Sequence, residues 1–234
     1  MNTQDFTHTP PHGDLPLLKA KNVNGKRFYE IIETKKIFPS ITSVLSIRQK
    51  EGLVEWRKKV GDDVANHIMI TAANRGKAVH SMVEDYLNNL DINLNEKYEK
   101  QFLPKMMFNV LQPELKKINS ICLQEAQMYS EKYTVAGRCD CIAEYDGVLS
   151  VIDFKTSKGE KKEDWIENYF IQGSAYAEMY EEHFNKPIEQ VVILIVTEEG
   201  TTQIFKKNKN DYLPKLKDAI EKFYKWVETN ERNI

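Results

Sequence analysis

The spacing of apolar residues changes character at Cys122. Ahead of it, apolar positions recur every three to four residues. The stretch 53–90 therefore reads as helical, interrupted near Gly61 and Gly76, with Val79, Met82, Val83, Tyr86, Leu87 and Leu90 on one face. A second helical stretch is expected over 97–118, broken or kinked at Pro113. Behind Cys122, β-rich runs over 122–129, 134–145 and 148–156 predict three strands. A helix over 164–184, strands over 190–197 and 202–206, and a helix over 211–228 follow. At the front, Pro10, Pro11, Gly13 and Pro16 leave residues 1–24 without periodicity, and they read as an extended or loosely docked arm. A short strand is expected over 27–32, and Ser40 or Thr42 can cap a helix opening after Pro39. No linker-like tract or repeat divides the rest. Residues 25–234 are expected to form one α/β domain: a mixed central β-sheet flanked by helices, with a helical N-terminal half.

Composition narrows the class. The 234 residues are 41% hydrophobic and 29% charged, ordinary for a globular chain and too apolar for a disordered one. No apolar run approaches membrane-spanning length, and residues 1–18 lack the features of a targeting peptide. Three cysteines make no disulfide framework, so a reducing cytoplasm is the expected location. The net charge of −2 gives no global argument for nucleic acid. Such a role must rest on local clusters such as Arg57-Lys58-Lys59, Lys158-Gly159-Glu160-Lys161-Lys162 and Lys206-Lys207-Asn208-Lys209.

The chemistry concentrates around Asp146-Gly147, a two-residue hairpin signal between β-rich runs. Taking these two as the loop pairs Tyr145 with Val148 and, counting back, sets Asp140 opposite Asp153. Opposed residues share a face, with Cβ atoms roughly 4.5–5.5 Å apart, and like charges placed so are destabilising. A divalent cation reverses the sign of that interaction. Lys155 falls on the same face as Asp153, and Phe154 on the other. Two carboxylates, water and a phosphate oxygen suit Mg²⁺.

Gly137-x-x-Asp140 followed by Ile152-Asp153-Phe154-Lys155-Thr156-Ser157 resembles the core of the PD-(D/E)xK nuclease superfamily. Arg75-Gly76-x-x-Val79-His80 and Gln172-x-x-x-Tyr176 resemble the first and last motifs of its RecB-like branch. The run from Phe38 to Leu45, with Trp56 after it, is similar to the opening segment of the branch's exonucleases, among them the mitochondrial genome maintenance exonucleases and their phage relatives. The likeness spans about residues 37 to 197 in the same motif order.

The resemblance implies a restriction-endonuclease-like core and a Mg²⁺- or Mn²⁺-dependent DNA exonuclease, acting on single strands in replication, repair or recombination. Its alternatives are a structure-specific endonuclease and a non-cutting protein that binds DNA ends. It implies that Asp140 and Asp153 ligate the metal with the Phe154 carbonyl, and that Lys155 orients or helps deprotonate the attacking water. His80 would join the metal site or position the phosphate, and Gln172 would hold Lys155 or a phosphate oxygen. Arg75, Arg57, Lys58 and Lys158 are the expected backbone contacts, and Tyr176 stacks on a base or bonds a phosphate. Glu84, one turn after His80, and Glu125 are weaker candidates for the acidic set. Cys139 and Cys141 flank Asp140, so they are expected to face away from the metal. Three cysteines cannot build the iron–sulfur cluster of some relatives. The reading implies a bacterial or phage-encoded protein working in the cytoplasm.

Overall fold

The computed structural model describes residues 5–231. A small antiparallel sheet, β1 (Leu18–Val23), β2 (Lys26–Ile31) and β3 (Ile37–Pro39), comes first. Helix α1 (Ile41–Ser46) follows, and the Ser40 side chain caps it by accepting the Ser43 N–H at 3.0 Å. Helix α2 (Lys50–Val60) meets α3 (Asp62–Leu87) at Gly61, whose φ of 87° is a conformation L side chains rarely adopt. Helix α4 (Phe102–Leu115) leads into β4 (Ile118–Ser130), β5 (Val135–Tyr145) and β6 (Val148–Ser157). Helix α5 (Glu167–Phe184) crosses to β7 (Gln190–Thr197), and β8 (Thr202–Asn208) and α6 (Leu213–Glu231) close the chain.

The five strands β4 to β8 form one mixed sheet in sequential order. Every neighbouring pair is antiparallel except β6–β7, which α5 connects as a parallel crossover. Helices cover both faces. Ile41, Val44, Ile171, Tyr176, Met179 and Phe223 pack on one side, from α1, α5 and α6. Val79, Met82, Leu87, Phe108 and Leu111 pack on the other, from α3 and α4. The expected α/β architecture is the one observed. Among the described residues, no helix is long and apolar enough to cross a membrane.

Local expectations fail in four places. Residues 18–23 of the expected arm form a strand paired with β2, and Thr7 and Thr9 bond to Ile121 across β4. Phe6 is buried edge-on against Tyr86, so this segment is docked rather than loose. Gly76 does not interrupt α3. A Cβ there would lie 3.4 Å from Thr156 Oγ1, an ordinary contact with β6, and the helix runs through it. Pro113 sits inside α4, in its last turn, and does not break it earlier. Leu90 is exposed because α3 stops at Leu87.

Candidate active site

The hairpin register agrees with the turn count and then stops at an informative place. Asp146 and Gly147 both have positive φ, the conformation that favours two-residue hairpins. Five pairs follow in register, from Tyr145–Val148 to Cys141–Ile152. The next pair, Asp140 with Asp153, is not formed. Instead the Asp140 carboxylate accepts the Phe154 N–H at 3.0 Å. The same level of β4 is irregular too: Gln124 pairs with Cys141 and Ala126 with Cys139, while Glu125 between them has φ +47°. This resets the facing of both strands. Cys139 joins the core on the α5 side and Cys141 the core on the α3–α4 side, correcting the expectation that both turn the same way. Burial raises both thiols, Cys139 to about 12.

The reset gathers three ligand-bearing side chains. Single ligand atoms of His80, Glu125 and Asp140 all lie within 4.8 Å of one another, and His80 Nδ1 is 3.6 Å from Asp140 Oδ2. They line a cavity of about 440 Å³, with Gly76, Lys77, His80, Ser81 and Glu84 of α3 forming one wall. Burial, followed by the Asp140 charge, raises the Glu125 carboxyl, and Arg138 Nε holds it at 2.9 Å. Asp153 and Lys155 lie beside this group without lining the cavity. Asp153 is 1% exposed, and Lys155 Nζ lies 2.5 Å from its Oδ2. Among the described residues, Asp153 Oδ1 has no hydrogen-bond donor, and Oδ2 is met by the Lys155 ammonium. Burial pushes Asp153 up to about 6 against the pull of Lys155. Burial alone would lower Lys155, but the charges of Asp153 and Asp140 outweigh it and raise the ammonium above its ordinary value. The ammonium also sits over the Tyr169 ring, 5.1 Å from its centroid.

Gln172 and Tyr176 share one face of α5, with Gln172 Nε2 donating to the Tyr176 hydroxyl at 3.2 Å. Tyr176 is 2% exposed, which corrects the expectation of base stacking: its ring is spent on packing against Gly137. Arg75 reaches across to an ion pair with Glu198 and donates to Thr156 Oγ1 at 3.4 Å, fastening α3 to the sheet. Arg57, at the end of α2, bonds Asp62 and Asn66, while Lys58 and Lys158 are exposed away from the cavity lining. In the third basic cluster, Lys206 pairs with Asp146, Lys207 with Glu163, and Lys209 with Glu178 and Glu181. Sequence reasoning missed three cations on the cavity wall, Arg27, Lys77 and Arg138, of which the last two carried a signal. Their signal was adjacency, since each follows a motif glycine, Gly76 and Gly137.

One end of the sheet, where two aspartates and a lysine meet between helices bearing His80 and Gln172, defines a nuclease class. The chain belongs to the PD-(D/E)XK nuclease superfamily, whose family model matches residues 48–233. More particularly, it is similar to mitochondrial genome maintenance exonuclease 1. It is 27% identical to the Homo sapiens protein over 180 residues, covering 71% of this chain and 51% of the relative. Against the Xenopus tropicalis protein the figures are 26% over 176 residues, 70% and 49%. The chain thus spans about half the length of these relatives. A crystal structure from Eubacterium rectale, provisionally described as an exonuclease, aligns over 64% of each chain at a TM-score of 0.45 and 17% identity.

Proposed function

We propose that the chain is a Mg²⁺- or Mn²⁺-dependent DNA exonuclease that digests single strands from a free end, in replication, repair or recombination. The observation that carries this reading is the placement of the His80, Glu125 and Asp140 ligand atoms within 4.8 Å of one another, beside the Asp153–Lys155 pair. The donor set fits a divalent cation. Asp153 Oδ2 is met by the Lys155 ammonium, but Oδ1 is buried with no donor among the described residues, an arrangement that is costly unless a further cation completes it. Asp140, Asp153 and the Phe154 carbonyl would hold the ion, with His80 and Glu125 completing the set. When bound, the ion supplies charge stabilisation at the phosphate.

The chain's own groups do the rest. The Phe154 N–H fixes the Asp140 carboxylate so that one oxygen faces His80. The Lys155 ammonium, held by Asp153 and the Tyr169 ring, orients the attacking water and offsets charge that builds on the phosphate. Gln172, anchored by Tyr176, presents its amide at the cavity wall to position a phosphate oxygen. Lys77 and Arg138 add positive charge to a cavity otherwise rich in carboxylates.

The test is digestion of end-labelled linear single strands and closed circular single strands, each with Mg²⁺, Mn²⁺ or EDTA. Linear strands should be degraded with metal only. Lys155→Ala should bind DNA to within a few-fold yet cut about 10²-fold more slowly or worse, the size of a lost proton-handling group. Undiminished cutting by that variant overturns the assignment. Circles digested as fast as linear strands remove the free-end requirement and favour a structure-specific endonuclease.

A further inference from the structure

Helix α3 has a second side. Gly76, His80 and Glu84 face the catalytic cavity at intervals of four residues, while Thr71, Asn74 and Ala78 line a separate groove of about 730 Å³. Lys77 and Ser81 line both, so they form the ridge where cavity and groove meet. The far wall of the groove is the start of α4, where Phe102 is 84% exposed. Lys77 and Lys100 on its rim are exposed, and among the described residues neither has an ion-pair partner. The floor is rigid. Tyr98 is fully buried, and its hydroxyl donates to the Ser81 carbonyl at 2.8 Å and to Asp85 at 2.6 Å.

We propose that this groove is a second nucleic-acid subsite: the single strand crosses the Lys77–Ser81 ridge from the cavity and stacks a base on Phe102, with Lys77 and Lys100 on its phosphates. The inference rests on the nuclease reading above and adds a track outside the catalytic cavity. Charge complementarity selects the occupant. Unpaired ammonium groups beside an exposed aromatic ring are the composition of single-strand binding surfaces, where bases stack on rings and lysines track phosphates. A duplex keeps its bases paired and has no face to offer Phe102.

The experiment measures binding of fluorescently labelled oligothymidylates of increasing length to the full chain in EDTA, and cutting of the same strands with Mn²⁺. Three proteins are compared: wild type, Phe102→Ala, and Lys77→Gln/Lys100→Gln. All three substitutions are at exposed positions, so folding is not at stake. Phe102→Ala should bind short strands like wild type and long strands about tenfold more weakly, the loss expected of one stacked base. It should bind a blunt duplex unchanged. The double lysine variant should show a shallower salt dependence on long strands. Phe102→Ala that matches wild type at every length overturns the proposal, and the groove is then free for a protein partner. Loss by Phe102→Ala that is equal at all lengths also overturns it, because it places the ring within the cavity subsite. A wild type that binds strands of every length and cuts none removes the nuclease reading, and the length-dependent Phe102 effect still decides the groove.

Discussion

Gly137→Ala tests how tightly the cavity is built, with a magnitude set by packing. A Cβ at this position would lie 2.6 Å from Tyr176 Cε1, 3.1 Å from its hydroxyl and 3.3 Å from Ile41 Cγ2. Reaching ordinary contact at 3.4 Å requires the ring to retreat by roughly 0.8 Å. Lifting helix α5 off the sheet would open its seat on β7 at Gly173, where the approach is so close that a Cβ would meet Val191 Cγ1 at 2.3 Å. Tyr176 must therefore leave its rotamer or push β5 outward. Overpacking of this kind costs about 1–3 kcal/mol. In a domain of this size that is about 2–4 °C of Tm per kcal/mol. The displaced hydroxyl also releases Gln172, so cutting should slow as well. Thermal melts of Gly137→Ala, Tyr176→Leu and the double variant decide the matter. Shortening the ring to leucine should cancel most of the alanine penalty, giving a favourable coupling of more than about 1 kcal/mol in the double-mutant cycle. A Gly137→Ala protein as stable as wild type refutes the argument, as does a penalty that survives in the Tyr176→Leu background.

Three further expectations follow from other parts of the structure. Lys209, 6% exposed at its side chain, pairs with Glu178 and Glu181, while Lys132 holds the other Glu178 oxygen at 2.7 Å, so Lys209→Met should lower denaturant stability by about 1–3 kcal/mol, the cost of one lost charged hydrogen-bond partner with Lys132 still in place. His183 is held below its ordinary pKa by burial, so the unfolded chain binds its proton more readily. Stability should fall as pH drops below about 6.5, the unperturbed value, and His183→Gln should flatten that limb of a Tm-against-pH curve. Millimolar Mn²⁺ should raise the wild-type Tm by mass action, and Asp140→Asn should lose most of the gain. An equal gain in both proteins places the ion elsewhere.

Much of this was legible in the sequence where one local rule dominated. The β5–β6 register followed from Asp146-Gly147 because both residues take positive φ, which leaves one way to pair the flanking strands. The motif order on α3, β5, β6 and α5 was legible for a similar reason: each motif lies inside one element. What escaped depends on contacts between elements. β1 was missed because it buries little, being exposed from Lys19 to Val23, and it is held by pairing with β2 rather than by an apolar face. Gly76 reads as a helix breaker in isolation, but α3 runs through it with its face against β6. The contacts of Tyr176 with Gly137 and of Arg75 with Glu198 join separate elements, so no single motif could announce them.

The most consequential departure is the broken ladder at Asp140. Continued in register, the β4–β5 and β5–β6 ladders would set Glu125, Asp140 and Asp153 in one row across three strands. Neighbouring carboxylates would then sit roughly 5 Å apart, each pair destabilising. The left-handed residue at Glu125 and the missing pair at Asp140 dissolve that row. Each acid instead takes a partner of its own: Glu125 the Arg138 guanidinium, Asp140 the Phe154 N–H, Asp153 the Lys155 ammonium. Each partner comes from residues 138, 154 and 155, inside the motifs that carry Asp140 and Asp153. The three acids still act on one another, since burial and the Asp140 charge both raise the Glu125 and the Asp153 carboxyl. The irregularity replaces a ladder row by a cluster in which His80, Glu125 and Asp140 are close enough for one cation to join.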